Sequence, residues 1–509
     1  MQPLRSARPT VGFVSLGCPK NLVDSEVMMG LLDRAGGQLT ARAEDAEILV
    51  VNTCSFIDSA KQESVNTILE MVQHKVANGG KAQRLIVAGC LVERYRDEIR
   101  KNIPEVDAVV GTGELEAILE AAGLSAPVAL EAHASPFNIL VSRAPSAVHQ
   151  HSHPTAVGAQ IASRAEGDLR ESQGRFSRAG WDGATAALPE YLYSDDTPRI
   201  LTTPRASAYI KIAEGCDHPC GFCIIPQLRG KFRSRRLESI VAEAERLIAQ
   251  GVREITLIGQ DTTCYGEDLG LKDGLATLLD VLAVLPGLKW LRFLYAYPNK
   301  VTMKLLETIA RHETIAKYLD VPLQHASASV LKRMKRGGTA DVFLRLIDKA
   351  RAVVPGVVIR TSFIVGFPGE TEEDFAELCD FVSAAKIDWL GVFSYSDEEG
   401  AAAFGLAAEL KVAKRTIEAR RKKLMKLQMK ISAKAKAGWV GREIDVLIEG
   451  ESEETELLWQ GRSSVHAPEI DGKVLINDFG PHEELVVGTF YRAEITEAHE
   501  YDVVARILE

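Results

Sequence analysis

The chain lacks any apolar run long enough to cross a membrane. Its most apolar long stretch, Leu275 to Tyr297, is interrupted by Asp280, Lys289 and Arg292, whereas a spanning helix needs about 20 consecutive apolar residues. The first ten residues, Met1 to Thr10, lack the apolar core of a secretory leader. A positive charge excess is missing too. Lys and Arg number 60 against 70 Asp and Glu, a net of −10, so the protein as a whole is not a generic nucleic-acid binder. Cysteine is scarce, at eight in 509 residues. That excludes a disulfide scaffold and fits a reducing, cytoplasmic compartment. Hydrophobic residues make up 46% and charged residues 26%, ordinary for a globular protein long enough for about three domains.

Three of the few cysteines crowd into one stretch, Gly215-Cys216-Asp217-His218-Pro219-Cys220-Gly221-Phe222-Cys223. Thiolates so closely spaced reach one metal centre. Structural zinc takes four ligands. Only three cysteines are local, and His218, squeezed between two of them, serves as a fourth only if the loop folds back on itself. A [4Fe-4S] cluster on three cysteines instead leaves one iron open to a small chelating molecule.

Residues 8–125 read as a first domain. Val11–Gly17 leads to Cys18, Ala46–Thr53 to Cys54, and Leu85–Gly89 to Cys90. Near-continuous apolar runs are the signature of parallel strands buried on both faces. Helical patterns between them imply right-handed crossovers. Strand C-terminal ends then share one edge, where ligands bind, so Cys18, Cys54 and Cys90 are expected to converge as a second three-thiolate site. A fourth run, Val106 to Val110, extends the sheet.

Residues 126–200 break the pattern and read as a polar linker or insertion, mobile or partly disordered. His149, His151 and His153 alternate there; an exposed histidine-rich loop, binding metal only adventitiously, is the plainer reading. Residues 201–437 alternate strand and helix six times, an open (βα)6 barrel fragment. The expected strands are Ala208–Glu214, Glu254–Gly259, Leu291–Ala296, Tyr318–Leu323, Val357–Val365 and Trp389–Ser394. Chemistry in parallel barrels sits at strand C-terminal ends. There lie the Cys216 loop, Gln260-Asp261-Thr262, Gln324-His325-Ala326-Ser327 and Gly366-Phe367-Pro368-Gly369-Glu370. Thr371 with Asp374 has the form of a capping pair. Cys264 and Cys379 fit neither triad and read as structural.

Eleven Lys or Arg against one acid, Glu418, fall between Lys411 and Lys436, a solvated helix face or a contact for RNA or an acidic partner. Residues 438–509 suggest a small antiparallel barrel of OB-like size with strands Glu443–Ile448, Leu457–Gln460, Lys473–Ile476 and Thr489–Ile495. From Gly441 to Glu509 five Lys or Arg face seventeen Asp or Glu, a net of −12. Such a barrel repels phosphates and attracts a basic protein.

The Cys-x3-Cys-x2-Cys loop resembles that of the radical S-adenosylmethionine (SAM) enzymes. The two triads with a small C-terminal barrel resemble the methylthiotransferases among them. The resemblance implies an α/β protein: an N-terminal parallel-sheet domain, a central radical SAM partial (βα)6 barrel, and a C-terminal TRAM barrel. Gly17-Cys18-Pro19-Lys20-Asn21-Leu22-Val23-Asp24-Ser25-Glu26, Tyr209–Cys216 and Gly461–Gly472 are similar to the RimO branch, which modifies the twelfth protein of the small ribosomal subunit at the β-carbon of an aspartate. The competing branch modifies a tRNA adenosine. Two departures are a longer insert and Ala401 where Thr commonly follows Glu-Glu-Gly.

The resemblance further implies two [4Fe-4S] clusters, on Cys18, Cys54 and Cys90 and on Cys216, Cys220 and Cys223, with SAM as cosubstrate. Candidate SAM contacts are Phe222, Gln260, Asp261, Gln324, Arg360 and Gly366. No side chain is assigned an acid–base or nucleophilic role. Expected partners are the basic ribosomal protein, a low-potential electron donor such as ferredoxin or flavodoxin, and a sulfur donor. The protein is expected to be a monomer with no membrane association.

Overall fold

The computed structural model describes residues 8–125, 188–406, 408–452, 455 and 457–508. The first domain is a parallel sheet of β1 (Thr10–Ser15), β2 (Gln38–Thr40), β3 (Ile48–Thr53), β4 (Arg84–Gly89) and β5 (Ala108–Val110), ordered β2-β1-β3-β4-β5. Every position of β3 and β4 is buried, as unbroken apolar runs require of a sheet covered on both faces. Helix Pro19–Arg34 is buried along most of its length. It lies against the central domain, where its Val23, Val27 and Met28 share one core with Tyr209, Ile258 and Tyr318.

The central domain opens with β6 (Ser207–Lys211). A short antiparallel ladder, β7 (Ala213–Glu214) with β8 (Arg233–Ser234), then frames the Cys216 loop. β9 (Glu254–Ile258), β10 (Trp290–Phe293), β11 (Tyr318–Asp320), β12 (Val358–Val365) and β13 (Trp389–Ser394) follow. They form two parallel halves, β10-β9-β6 and β11-β12-β13, joined by the bridge Leu291–Ile315. The six strands match the sequence reading in number and order.

Outer-facing Ile255, Leu291, Leu319 and Ile359 pack against Ile240, Leu279, Ile347 and Leu378 of the surrounding helices. Each such side chain contributes about 1.5–3 kcal/mol through burial. Thr371 and Asp374 form the expected capping box at the start of helix Glu372–Ala385. The basic stretch is a helix, Lys414–Ala437. Its Arg420 turns inward to Glu370 at 2.8 Å, and its Lys436 sits 3.7 Å above the Trp389 ring.

The third domain is a closed barrel of β14 (Glu443–Glu451), β15 (Trp459–Arg462), β16 (Val474–Asp478), β17 (Phe490–Ala498) and β18 (Val503–Ile507), ordered β14-β15-β16-β18-β17. The sequence shows four of these strands. β18 follows His499-Glu500-Tyr501-Asp502, which has no Gly, Pro or Asn to mark a turn. β18 also pairs parallel with β16, an exception in an otherwise antiparallel barrel.

Segment 462–471 joins this barrel to the central one. Arg462 meets Glu254 at 2.6 Å, and Asp471 meets Tyr318 at 2.6 Å and Arg360 at 3.5 Å. Glu254 is the first residue of β9, so the segment closes the central barrel at the end opposite the Cys216 loop.

The stretch expected to be mobile is packed over residues 188–200. Tyr193 is only 3% exposed, and Arg199 pairs with Glu26 at 2.6 Å and Glu243 at 2.7 Å. The histidines His149, His151 and His153 lie outside the described residues. Among the described residues, no helix is long and apolar enough to cross a membrane.

Candidate active site

β1, β3 and β4 are adjacent and parallel, and a cysteine follows each. Cys18 caps helix Pro19–Arg34, Cys54 follows Thr53, and Cys90 opens helix Cys90–Asn102. The topology therefore brings the three thiols to one edge. Gly17 is required there: its φ is +94°, and a Cβ would lie 2.8 Å from that of Cys54. Polar clamps hold the loops. Ser64 accepts from the Cys54 N–H at 3.0 Å and donates to its carbonyl at 2.8 Å. Asn21 donates to Leu16 O at 2.6 Å and Thr53 O at 3.2 Å.

Burial, reinforced by Cys90 and Cys18, pushes the Cys54 thiol up to about 12. Burial also raises Cys90, against the pull of Arg229. All eight cysteines are free thiols. Buried thiols such as Cys54 and Cys90, which resist ionisation on their own, suit a cationic centre that deprotonates them on binding.

Two thiols of the second triad behave in the same way. Burial pushes Cys216 up to about 11 and Cys223 up to about 12, with the neighbouring thiols adding to it. The Cys223 N–H donates to Cys220 O at 3.1 Å, and Arg336 donates to Cys220 Sγ at 3.4 Å. Gly215, at φ +79°, lets the loop pass Lys231 O, which a Cβ would meet at 2.1 Å. His218 already has partners beside the loop. Its Nε2 meets Asp261 at 2.6 Å, and its ring stacks on Tyr297 at 4.0 Å.

A buried ionic network ties the two triads together. Asp24 accepts from Lys211 and Arg229, both at 2.5 Å, and Glu214 from Lys211 at 2.5 Å. Against the cost of burial, Lys211 and Arg229 hold the Glu214 carboxyl down to about 2. Arg229 also donates to Asn21 Oδ1 at 3.1 Å and Cys90 Sγ at 3.4 Å.

Comparison with known proteins matches the same three blocks. Residues 10–111 match the uncharacterized protein family UPF0004, 210–382 the radical SAM superfamily, and 440–508 the TRAM domain. A ribosomal protein uS12 methylthiotransferase RimO of Koribacter versatilis is 68% identical over 98% of this chain and 96% of its own length. That of Solibacter usitatus is 56% identical over 98% and 94%. The chain belongs to the RimO family of uS12 methylthiotransferases. These relatives carry no tRNA designation, so the tRNA branch is not favoured. Among solved structures, the radical SAM methyltransferase TsrM of Kitasatospora setae, titled with cobalamin and a [4Fe-4S] cluster bound, overlaps 76% of this chain and 72% of its own at 16% identity and TM-score 0.46.

Within this RimO-family chain the six candidate SAM contacts divide by their present partners. Phe222 packs beside Met334 and Phe367, next to Cys223. Gln260 donates to Glu214, and Asp261 binds His218 and Thr263 beside the loop. Gln324 adopts φ +73°, its backbone bonded to Ser362 and Ile364. Arg360 is engaged by Asp320 at 2.8 Å and by Asp471 of the third domain. Gly366 abuts the basic helix, where a Cβ would lie 2.3 Å from Ile417.

Cys264, read as structural from the sequence, has its Sγ 3.1 Å from Asp261 and groups with His218. The one available signal was its spacing three residues after Asp261.

Proposed function

We propose that this RimO-family protein methylthiolates the β-carbon of an aspartate on ribosomal protein uS12, with one [4Fe-4S] cluster on Cys216, Cys220 and Cys223 and a second on Cys18, Cys54 and Cys90. The carrying observation is the convergence of Cys18, Cys54 and Cys90 at the ends of β1, β3 and β4, linked through Arg229 to the Cys216 side. When bound, the Cys216 cluster with SAM supplies a radical that abstracts hydrogen, the second cluster supplies sulfur, and another SAM supplies the methyl group.

The chain's own residues prepare the space for this chemistry. The left-handed turn at Gly215 presents the three thiols at the barrel edge. Asp261 and Tyr297 hold the His218 ring, and the loop itself offers three thiols as donors. Arg336 and Arg229 place a cation beside one thiol of each triad. Segment 462–471 blocks the far end of the barrel, and the apolar core of Tyr209, Leu294 and Trp389 excludes water there. Phe222, Gln260, Asp261, Gln324, Arg360 and Gly366 are the candidates to surround SAM.

A low-potential ferredoxin or flavodoxin is the proposed reductant. An external sulfur donor, a cytoplasmic location and a monomeric state complete the reading. The acidic third domain, −12 overall, favours a basic protein partner.

The test is mass spectrometry of uS12 and of bulk tRNA from a strain lacking the gene. Loss of an adduct of about 46 Da (CH2S) from uS12 is the expected result. Its loss from tRNA with uS12 unchanged overturns the assignment.

A further inference from the structure

Lys20 is a buried cation without a counter-charge. It is 9% exposed, and among the described residues no carboxylate oxygen lies within 4.0 Å of its ammonium. Its two partners are uncharged: Gly259 O at 3.3 Å and the Tyr295 ring, whose centroid is 3.2 Å away. The acids around it are already taken. Asp24 and Glu214 serve Lys211 and Arg229. Asp261 serves His218, and Asp320 serves Arg360 and the Tyr295 N–H. Burying an ammonium with no partner charge is costly. A fold that supplies a carboxylate to Lys211, Arg229 and Arg360 but none to Lys20 leaves room for a carboxylate from outside.

The position suits such a ligand. Lys20 stands two residues after Cys18, and its ammonium touches Gly259 at the C-terminal end of β9. The next two residues, Gln260 and Asp261, hold Glu214 and the His218 of the Cys216 loop. Tyr295, beneath the ammonium, is itself strained into φ +65°, a cost that surrounding structure must sustain and that clusters at ligand sites. Lys20 therefore sits where the Cys18 edge meets the barrel mouth.

We propose that Lys20 receives the side-chain carboxylate of the target aspartate. This rests on the uS12 reading above and adds how the substrate residue is selected. A carboxylate anchored there fixes the adjacent β-carbon, one bond away, between the two triads. Asparagine of the same shape has no charge to satisfy the ammonium.

The test is a binding cycle with loaded wild-type enzyme, Lys20→Gln and Lys20→Arg, each against intact uS12 and uS12 with the target aspartate changed to asparagine. The wild type is expected to bind the aspartate form on the order of tenfold more tightly, about 1.4 kcal/mol. Lys20→Gln is expected to erase that preference, Lys20→Arg to keep part of it, and both to retain the wild-type iron content. Equal weakening of both substrates by Lys20→Gln, an undiminished preference, or iron loss in both variants assigns the ammonium to offsetting thiolate charge and overturns the proposal. A wild type that neither binds nor modifies uS12 overturns the functional reading as well.

Discussion

Arg229 donates to Sγ of Cys90 at 3.4 Å and to Asp24 at 2.5 Å, although it belongs to the helix immediately after Cys223. One guanidinium thus touches a thiol of the first triad and a carboxylate of its supporting helix, from the segment that carries the second triad. Arg229→Gln leaves Asp24 and Glu214 short of a cation in a buried setting. The expected loss of stability is about 3–5 kcal/mol, read from denaturant unfolding. Arg229→Lys retains the charge but not the fork, and an intermediate loss is expected.

Iron content tests the pairing of triads directly. Wild-type enzyme reconstituted without oxygen is expected to hold about eight irons per chain. Replacing Cys18, Cys54 and Cys90 by alanine is expected to leave about four, with SAM cleavage at the Cys216 loop retained and methylthio product absent. A wild type with about four irons and full activity removes the second cluster.

Glu254 contributes to the acid limb of stability. Against the cost of burial, Arg462 and Arg292 hold its carboxyl down to about 2. The folded value lies below the unfolded one of about 4.3. Its contribution is therefore complete above about pH 4.3 and is lost as pH falls through about 2. Glu254→Gln is expected to cost about 3–5 kcal/mol near neutrality and to flatten the acid slope of thermal unfolding. An unchanged slope removes Glu254 as its source.

Gly366 distinguishes a SAM contact from a packing contact. A Cβ there would lie 2.3 Å from Ile417, on a backbone at φ +81°. Gly366→Ala is expected to lower stability by about 1–3 kcal/mol, and adding Ile417→Ala is expected to restore part of it. SAM affinity measured on the same variants should change little if packing alone requires the glycine.

The triads were legible because cysteine is rare and strand ends are marked. Val50-Val51-Asn52-Thr53-Cys54 says both where a strand stops and what stands there. The capping box at Thr371 was equally local. Arg229 with Cys90, separated by 139 residues, was not legible, because an arginine after a cysteine loop carries no sign of which carboxylates it will meet. Arg360 reads as a strand residue near a ligand pocket. Only the fold shows that Asp320 and Asp471 occupy its guanidinium. Residues 188–200 looked like linker since Tyr193 and Arg199 find their partners, Glu243 and Glu26, in two different domains.

The floor of the central barrel is made by a segment that lies after it in the chain. A chain emerging from its N-terminus completes β6 through β13 before Arg462 exists, and domains fold largely in that order. During that interval Glu254 lacks Arg462, and segment 462–471 does not yet cover that end of the barrel. Translation thus imposes an order on maturation: the barrel floor closes only after segment 462–471 has been made. Truncations within the C-terminal barrel should accordingly yield chains whose iron is oxygen-labile rather than chains that merely bind substrate poorly.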